Sequence, residues 1–481
     1  MLTAILKNKI LWYMASRYAT FAVQFVAGIF VATRLSPFYF GIWGFISLLV
    51  AVASNFHWGI GNSVTILLVQ HKEDKRLCDQ YVFNSLLLIA AASLLPVICL
   101  GYEQVFGVDL FEKYQLNNFI YAVVILTILN YINGFFRNIF RVKNKIIEII
   151  IQQSLWPLLM LLLFCFASGK LLLNLLVWGW CISGIISLTV FISRGGIKYK
   201  GCHVDFDIVR QIISKGFFLF LYNAGFTFIM MSTKSGISYF YTVEEFGYFV
   251  FGFSLASGAL DVVASILFLI FPKTIDMLKG NDVEKIRSGI FLLRSNYLTI
   301  IYLLFYTVVA FSGSFFDFIP QYKNSFLPFL LVFFTLIMYT TCFGYDTYLL
   351  AQNKERQFCL IVGGALLFNI VIVILCGKIL HLSFCYTVLA TLLTYFLYSI
   401  TVNAYSLVML GERSIKVFMR ELLPWRSMIL YWGALFIVMF YRNSWVLFIP
   451  LMLFIILNYR SIVGVVKTAL SLLKNDKLIN V

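Results

Sequence analysis

The sequence predicts an all-α polytopic membrane protein. The predicted architecture is two pseudo-symmetric six-helix bundles around a central cavity plus two C-terminal helices, fourteen crossings in all, or twelve if the last pair is re-entrant. Three observations lead there. Of 481 residues, 61% are hydrophobic and only 12% charged, with mean hydropathy +0.92, whereas a soluble domain carries about 25% charged residues. Apolar runs of helix length recur along the whole chain. Basic residues concentrate on alternate sides of those runs, as cytoplasmic loops do.

The runs fall at 11–35, 41–69, 81–101, 117–137, 148–168, 171–193, 216–241, 246–271, 295–317, 326–350, 358–377, 382–405, 428–441 and 445–460. The last two hold 14 and 16 residues, against the ~17–25 that a crossing needs, which keeps the re-entrant reading open. Lys7 and Lys9 precede the first run as in a signal peptide, but its length, Arg17 and Gln24 read as a retained first helix. With the N-terminus placed inside, the inner segments hold 29 of the 37 Lys and Arg, the outer loops 6, and the remaining two, Arg17 and Lys234, lie within runs. This asymmetry predicts both termini inside. It also accounts for the net charge of +16 without nucleic acid.

The longest outer loop, around Gly101–Leu116, is acidic through Glu103, Asp109 and Glu112. The inner loops Arg194–Lys215 and Pro272–Arg294 are longer, and the second is predicted to begin a surface helix capped by Asn281. The nine cysteines sit mostly within apolar runs without a CxxC pair, so they read as small buried apolar residues. Cys376 and Cys385 flank a short outer loop and are the one pair placed to bridge.

Two short matches suggest an internal repeat. Phe40-Gly41 in SPFYFGIWGF and Phe246-Gly247 in TVEEFGYFVF follow the first and seventh runs at an offset of 206. Asn144-Lys145 and Asn353-Lys354 follow the fourth and tenth at an offset of 209. The predicted division is 1–200, 201–410 and an appended 411–481. Repeats of this kind are typical of transporters, whose sites lie between repeats near the midplane. Chance similarity in apolar sequence is the alternative.

Polar residues at helical spacing mark particular runs. Arg17, Thr20, Gln24 and Gly28 share one face, with Arg17 roughly 9 Å from the start of its run. The reading is a stripe turned towards a wet cavity; the alternative is an arginine snorkelling to the headgroups. Asn223, Thr227, Lys234 and Ser238 form the counterpart in the seventh run. Asn55, Gly59 and Asn62 mark the second run, with His57 off that face, and Ser254, Gly258, Asp261 and Ser265 mark the eighth. Thr127, Asn130, Gly134 and Arg137 mark the fourth, and Thr335, Tyr339, Cys342 and Asp346 the tenth. The fifth, eleventh and twelfth runs look uniformly apolar. That division predicts a lumen lined by selected helices.

The chemistry follows from these charges. Arg17 and Lys234 suit an anionic ligand, because a basic group in a low-dielectric cavity attracts phosphate strongly. Arg137 reads as an entry contact or as an ordinary inner-side basic residue. Asp261 and Asp346 read as a proton or sodium site, or as internal ion-pair partners of Lys234 or Arg17. No GxxxxGK, HExxH, GxSxG or metal-ligand set is present, so neither ATP nor a cofactor is expected. Asp205-Phe206-Asp207 has the DxD spacing of some glycosyltransferases, against the plainer reading of an acidic helix cap. A polymerase or glycosyltransferase would also need a large catalytic loop, and the outer loops are short.

TRLSPFYFGIWGF after the first run, the RVKNK turn after the fourth and the two six-helix halves resemble the Wzx-type O-antigen and exopolysaccharide flippases. These belong to the multidrug/oligosaccharidyl-lipid/polysaccharide exporter superfamily, and the likeness covers essentially the whole length through short motifs. The resemblance implies a V-shaped pair of bundles in the bacterial cytoplasmic membrane with a cation-lined cavity. It implies undecaprenyl-diphosphate-linked oligosaccharide as substrate, and a polysaccharide polymerase and chain-length regulator as partners besides the membrane lipids. On it, Arg17 and Lys234 would hold the diphosphate while Gln24, Asn55 and Asn223 meet sugar hydroxyls. In the lipid II flippases of this superfamily two extra C-terminal helices form a groove for the lipid tail, a role open here to 428–460. A drug exporter of the same superfamily is the alternative, although such exporters usually need lumen acids.

Overall fold

A computed structural model describes residues 9–106, 112–195, 202–278, 282–422, 424–440 and 444–474, and every regular element among them is helical. Among the described residues ten helices are long and apolar enough to cross a membrane, or eleven if the bent pair Phe206–Lys215 and Phe220–Phe240 counts as one span. Three shorter apolar helices, Tyr18–Arg34, Ile60–Gln70 and Ser427–Phe440, add to these. By contacts the chain forms two compact units, Met1–Val250 and Phe251–Val481.

In the first unit, α1 (Lys9–Arg34) lies along α6 (Ile146–Phe166). Thr20 and Ser154 hydroxyls are 2.9 Å apart, and Phe30 stacks on Phe164 at 5.1 Å. Then come α2 (Pro37–Ser54), α3 (Ile60–Gln70), α4 (Lys75–Phe106), α5 (Ile120–Val142), α7 (Gly169–Gly195) and α8 (Phe206–Phe240). Their buried core joins Val64, Tyr81, Phe135, Phe140, Phe191 and Ile212.

The second apolar run is not one helix. After Ser54 the chain makes a 3₁₀ turn over Asn55–His57, and Trp58 (φ 54°) and Gly59 (φ 69°) take left-handed backbone before α3 begins. Left-handed backbone ends a helix, so Asn55, Gly59 and Asn62 do not share a helical face. The tenth run breaks likewise. α11 (Phe326–Tyr339) ends in a 3₁₀ turn over Thr340–Cys342, Gly344 has φ 91°, and α12 (Tyr345–Ala351) follows.

The predicted repeat has matching local geometry. Ser36 and Thr242 each precede a helix, and Phe40 and Phe246 donate backbone hydrogen bonds to their carbonyls at 2.9 and 3.0 Å. Thr242 and Glu245 form a reciprocal capping box. Helix starts α2 and α9 (Val243–Leu278) meet at their glycines: a Cβ on Gly41 would collide with the Val243 carbonyl, and one on Gly247 with the Pro37 carbonyl. At the other match, Asn144 and Asn353 both have φ 54°, and Lys145 and Lys354 donate to Phe140 and Leu349 carbonyls at 2.9 Å each.

The start of α8 settles the DxD alternatives in favour of the cap. Asp205 Oδ1 accepts from the Asp207 and Ile208 amides at 2.9 and 3.2 Å, while its own amide donates to buried Asn84 at 3.0 Å. Asp205→Ala is expected to destabilise the protein by about 1 kcal/mol, read as a lowered melting temperature in detergent. Asp207→Ala, which removes only a charge from the first turn, should cost ~0.3–1 kcal/mol and no more than the cap.

In the second unit, α10 (Val283–Asp317) runs unbroken from its first turn through residue 294 and beyond, so no separate surface helix forms there. Asn281 lies outside the described residues; the observed cap is Asp282, which accepts from the Lys285 amide at 3.1 Å. α13 (Glu355–Ile374), α14 (Phe384–Met409), α15 (Ile415–Leu422), α16 (Trp425–Phe440) and α17 (Phe448–Lys474) complete it. The final run is not short. Tyr459-Arg460 ends the apolar window, but the helix continues past a kink at Asn458 through Ser461–Val466, and with the turn before it makes a candidate span of 21 residues, Trp445–Val465. α16 and α17 enter the unit's aromatic core, where Tyr302, Phe305, Tyr306, Phe334, Tyr431 and Phe454 lie ring to ring. Tyr431 donates to the Phe334 carbonyl at 2.9 Å. α14 is less uniformly apolar than expected, with Thr387, Thr391, Thr394, Asn403 and Ser406 buried; Thr394 donates to Asn369 at 3.0 Å. None of the nine cysteines is in a disulfide, so Cys376 and Cys385 do not bridge.

Candidate functional site

In the first unit a group of polar contacts gathers at the break after α2. Asn55 Nδ2 donates to the Ala51 carbonyl at 2.8 Å, so the asparagine closes the end of its own helix. From α5, Asn130 donates to Ser54 Oγ at 3.2 Å and Tyr131 to the Ala53 carbonyl at 2.6 Å. From α8, Met231 Sδ lies 4.0 Å from Asn55 Nδ2, and Phe228 and Phe220 rings face Phe56 and His57 at 6.4 and 6.2 Å. Two helices, α5 and α8, therefore converge on the end of α2. The bend is tightly enclosed, since a Cβ on Gly59 would fall 2.6 Å from that of Phe220.

Met231 lies four residues after Thr227 and three before Lys234, so Asn55 abuts the polar stripe of α8. Along that stripe Asn223 and Thr227 are exposed, Lys234 is half-buried and Ser238 is buried. The far end is tied down by the loop before α5: Lys113 Nζ donates to the Tyr239 and Tyr241 carbonyls at 3.0 Å, and Tyr114 Oη to that of Ser238 at 2.9 Å. A cation on the last carbonyls of a helix satisfies groups the helix itself cannot.

The remaining predicted residues divide. Arg17 falls in α1, with its side chain outside the described ones. Gln24 is exposed, and a Cβ on Gly28 would meet nothing within 4 Å, so that part of the stripe is open. On α5, Gly134 faces open space and Arg137 is exposed, whereas Thr127 is buried and bonds its own helix at Val123. Thr335 on α11 does the same at Leu331. Both are fully buried with the hydroxyl satisfied by their own helix, so those two positions drop from the predicted lining, whereas Thr227, which bonds the Asn223 carbonyl in the same way at 2.8 Å, is exposed.

In the second unit Asp261 is exposed on α9. Asp346 Oδ1 accepts from the Gly344 and Thr347 amides, at 3.1 and 2.6 Å, and so closes the break between α11 and α12. The Tyr339 hydroxyl lies within electrostatic reach of both aspartates. Among the described residues no three His, Cys, Asp or Glu side chains gather as a metal site.

Sequence reasoning missed both breaks and one buried ion pair. Arg294, counted only as an inner-side cation, donates to Glu421 Oε2 at 2.6 Å and, through Nε and Nη2, to the Thr341 carbonyl at 3.2 and 3.0 Å. The glycines in HWGIGN and TTCFGYD were the available signal for the breaks.

Residues 6–277 match the family model described as polysaccharide biosynthesis protein. No curated protein matches the chain. Among solved structures, the lipid II flippase MurJ in an inward closed conformation superposes with a TM-score of 0.63 at 13% identity, over 94% of this chain and 98% of that one. An inward-facing multidrug resistance MATE family transporter of the MOP superfamily gives 0.62 at 14%, over 82% and 94%. A MOP superfamily transporter from Pyrococcus furiosus, whose binding pocket is described as reversed in polarity, gives 0.51 at 13%, over 85% and 95%. At these identities the likeness is one of fold: the chain shares the fold of these structures.

Proposed function

Because the chain belongs to the polysaccharide biosynthesis protein family, we propose that it is a flippase for lipid-linked oligosaccharide, moving undecaprenyl-diphosphate-linked repeat units for O-antigen, capsular or exopolysaccharide synthesis. The observation that carries the reading is the α8 stripe. A lysine and two exposed polar side chains stand within a membrane-spanning run, beside the broken end of α2. Polar groups within a membrane-spanning run are costly, and a charge at such depth costs ~2.5–3.5 kcal/mol on insertion scales; a stripe of them suits a polar ligand or water. Interrupted helices are where transporters hold substrate groups.

On this proposal Arg17 and Lys234 attract the diphosphate, Arg137 meets it at entry, and Gln24, Asn55 and Asn223 meet sugar hydroxyls. Both termini face the cytoplasm of a bacterium, as the basic-residue asymmetry suggests. The bundles 1–200 and 201–410, with 411–481 appended, alternate in access. A membrane potential negative inside favours outward movement of an anion by ~2.3 kcal/mol per charge per 100 mV across the full field, and Asp261 or Asp346 takes the coupling cation if one is used. A polymerase and a chain-length regulator act downstream.

The test is a chromosomal Arg17→Ala/Lys234→Ala variant scored for surface polysaccharide against protein level. Polymer is expected to fall at least tenfold, the equivalent of about 1.4 kcal/mol, with Lys234→Arg retaining most of it. Normal polymer at normal protein level would remove the site. A second reading, an ion-coupled drug exporter, draws on the similarly scored MATE fold. Drug sensitivity on deletion with polysaccharide intact would favour it.

A further inference from the structure

We infer that α15, with the turn before it, is a docking surface for anionic lipid headgroups. α14, a candidate span, ends at Met409, and the shorter apolar helix α16 begins at Trp425, so the eight residues of α15 are placed at a membrane surface whichever way the chain is oriented. α10 packs beside it. Its 35 residues span about 52 Å, well beyond the ~30 Å hydrocarbon core, so its first turns also project into the headgroup layer.

The three faces of α15 are chemically distinct. Ile415 and Met419, four residues apart, are 80% and 55% exposed, and Phe291 and Leu292 of α10 are also exposed. Lys416 and Arg420 occupy the next face, with Arg413 in the preceding turn, all three exposed. Glu421 points inward to Arg294. The local acids are already engaged: Glu412 pairs with Arg287, and Glu421 pairs with Arg294 and, at 3.4 Å, with Arg420. Net positive charge therefore remains on the outer face, beside apolar side chains at insertion spacing. That combination selects an anionic lipid over a soluble phosphate, because only a lipid surface takes up Ile415 and Met419 while neutralising the cations.

The same helix reaches the interior. Arg294 joins Glu421 to the Thr341 carbonyl at the break between α11 and α12. A lipid that holds α15 thus holds Glu421, and through Arg294 the broken helix. This coupling is independent of what the protein carries.

Hydrogen exchange of residues 415–422 tests the assignment, using full-length protein in nanodiscs of phosphatidylcholine with and without phosphatidylglycerol. Exchange is expected to slow in the anionic discs, by about fivefold for each basic side chain engaged, and high salt should reverse it. An Arg413→Gln/Lys416→Gln/Arg420→Gln variant should lose the lipid dependence, while Arg413→Lys/Arg420→Lys keeps it. Equal exchange of the wild type in the two lipids would overturn the inference without touching the transport reading. So would protection by inorganic phosphate in phosphatidylcholine discs. Should the triple variant not fold, the lipid and salt arms on the wild type still decide.

Discussion

Arg294→Ala is expected to destabilise the protein by about 3–5 kcal/mol, among the largest single-residue effects it can show. The guanidinium is 3% exposed and donates to Glu421 Oε2, to the Glu421 carbonyl and twice to the Thr341 carbonyl. Tyr345 Oη donates to the same carboxylate oxygen at 3.2 Å, and Asn403 Nδ2 to the same Thr341 carbonyl at 3.4 Å. Truncating Arg294 leaves the carboxylate buried without its charge partner and strips a helix-end carbonyl of two donors. The pair is nonetheless no source of net stability by existing, because desolvating two ions offsets most of their attraction. A double variant, Arg294→Met/Glu421→Leu, should therefore recover most of the loss. Melting temperatures of the single and double variants in one detergent check this. A double variant as unstable as Arg294→Ala would mean that the Thr341 carbonyl, rather than the ion pair, sets the cost.

Gly41→Val and Gly247→Val are each expected to prevent normal assembly of the first unit. A side chain at either position meets the carbonyl of the opposing helix start, backbone that cannot rotate away. Overpacking typically costs ~1–3 kcal/mol when side chains can yield, and here they cannot, so the effect lies at or above that range. Gly44 reinforces the point, since its Cβ would fall 2.8 Å from both γ-methyls of Val250. Gly28→Ala and Gly134→Ala are the internal controls. Each faces open space in a helix, and alanine there should be neutral or slightly stabilising. Yield of monodisperse protein and melting temperature separate the two classes. Equal behaviour of all four variants would show that α2 and α9 do not meet so closely.

These two predictions mark different degrees of legibility. Gly41 and Gly247 stood out in the sequence as a repeated Phe-Gly pair, yet nothing in it said that each glycine receives the other's helix. Asn144 and Asn353 were likewise matched by position, and their shared left-handed backbone followed only from the structure. Arg294 was invisible except as one of many inner-side cations, because its partner lies 127 residues away. Thr127 and Thr335 were misread for the opposite reason. Periodicity places a residue on a face, but not that face against lumen or neighbouring helix.

The sequence by itself determined the class of this protein: its apolar runs, the basic-residue asymmetry, the two repeated turns and the polar stripes of α1 and α8. These are local quantities, set by residue type and helical spacing. Tertiary structure decided where runs two and ten break, which polar side chains bond backbone instead of facing open space, and which charges are paired. A left-handed break at Trp58-Gly59 or Gly344 carries almost no signature in an apolar run. It persists because distant groups, Tyr131 and Asn130 in one case and Arg294 and Asn403 in the other, satisfy the carbonyls and hydroxyls at the break.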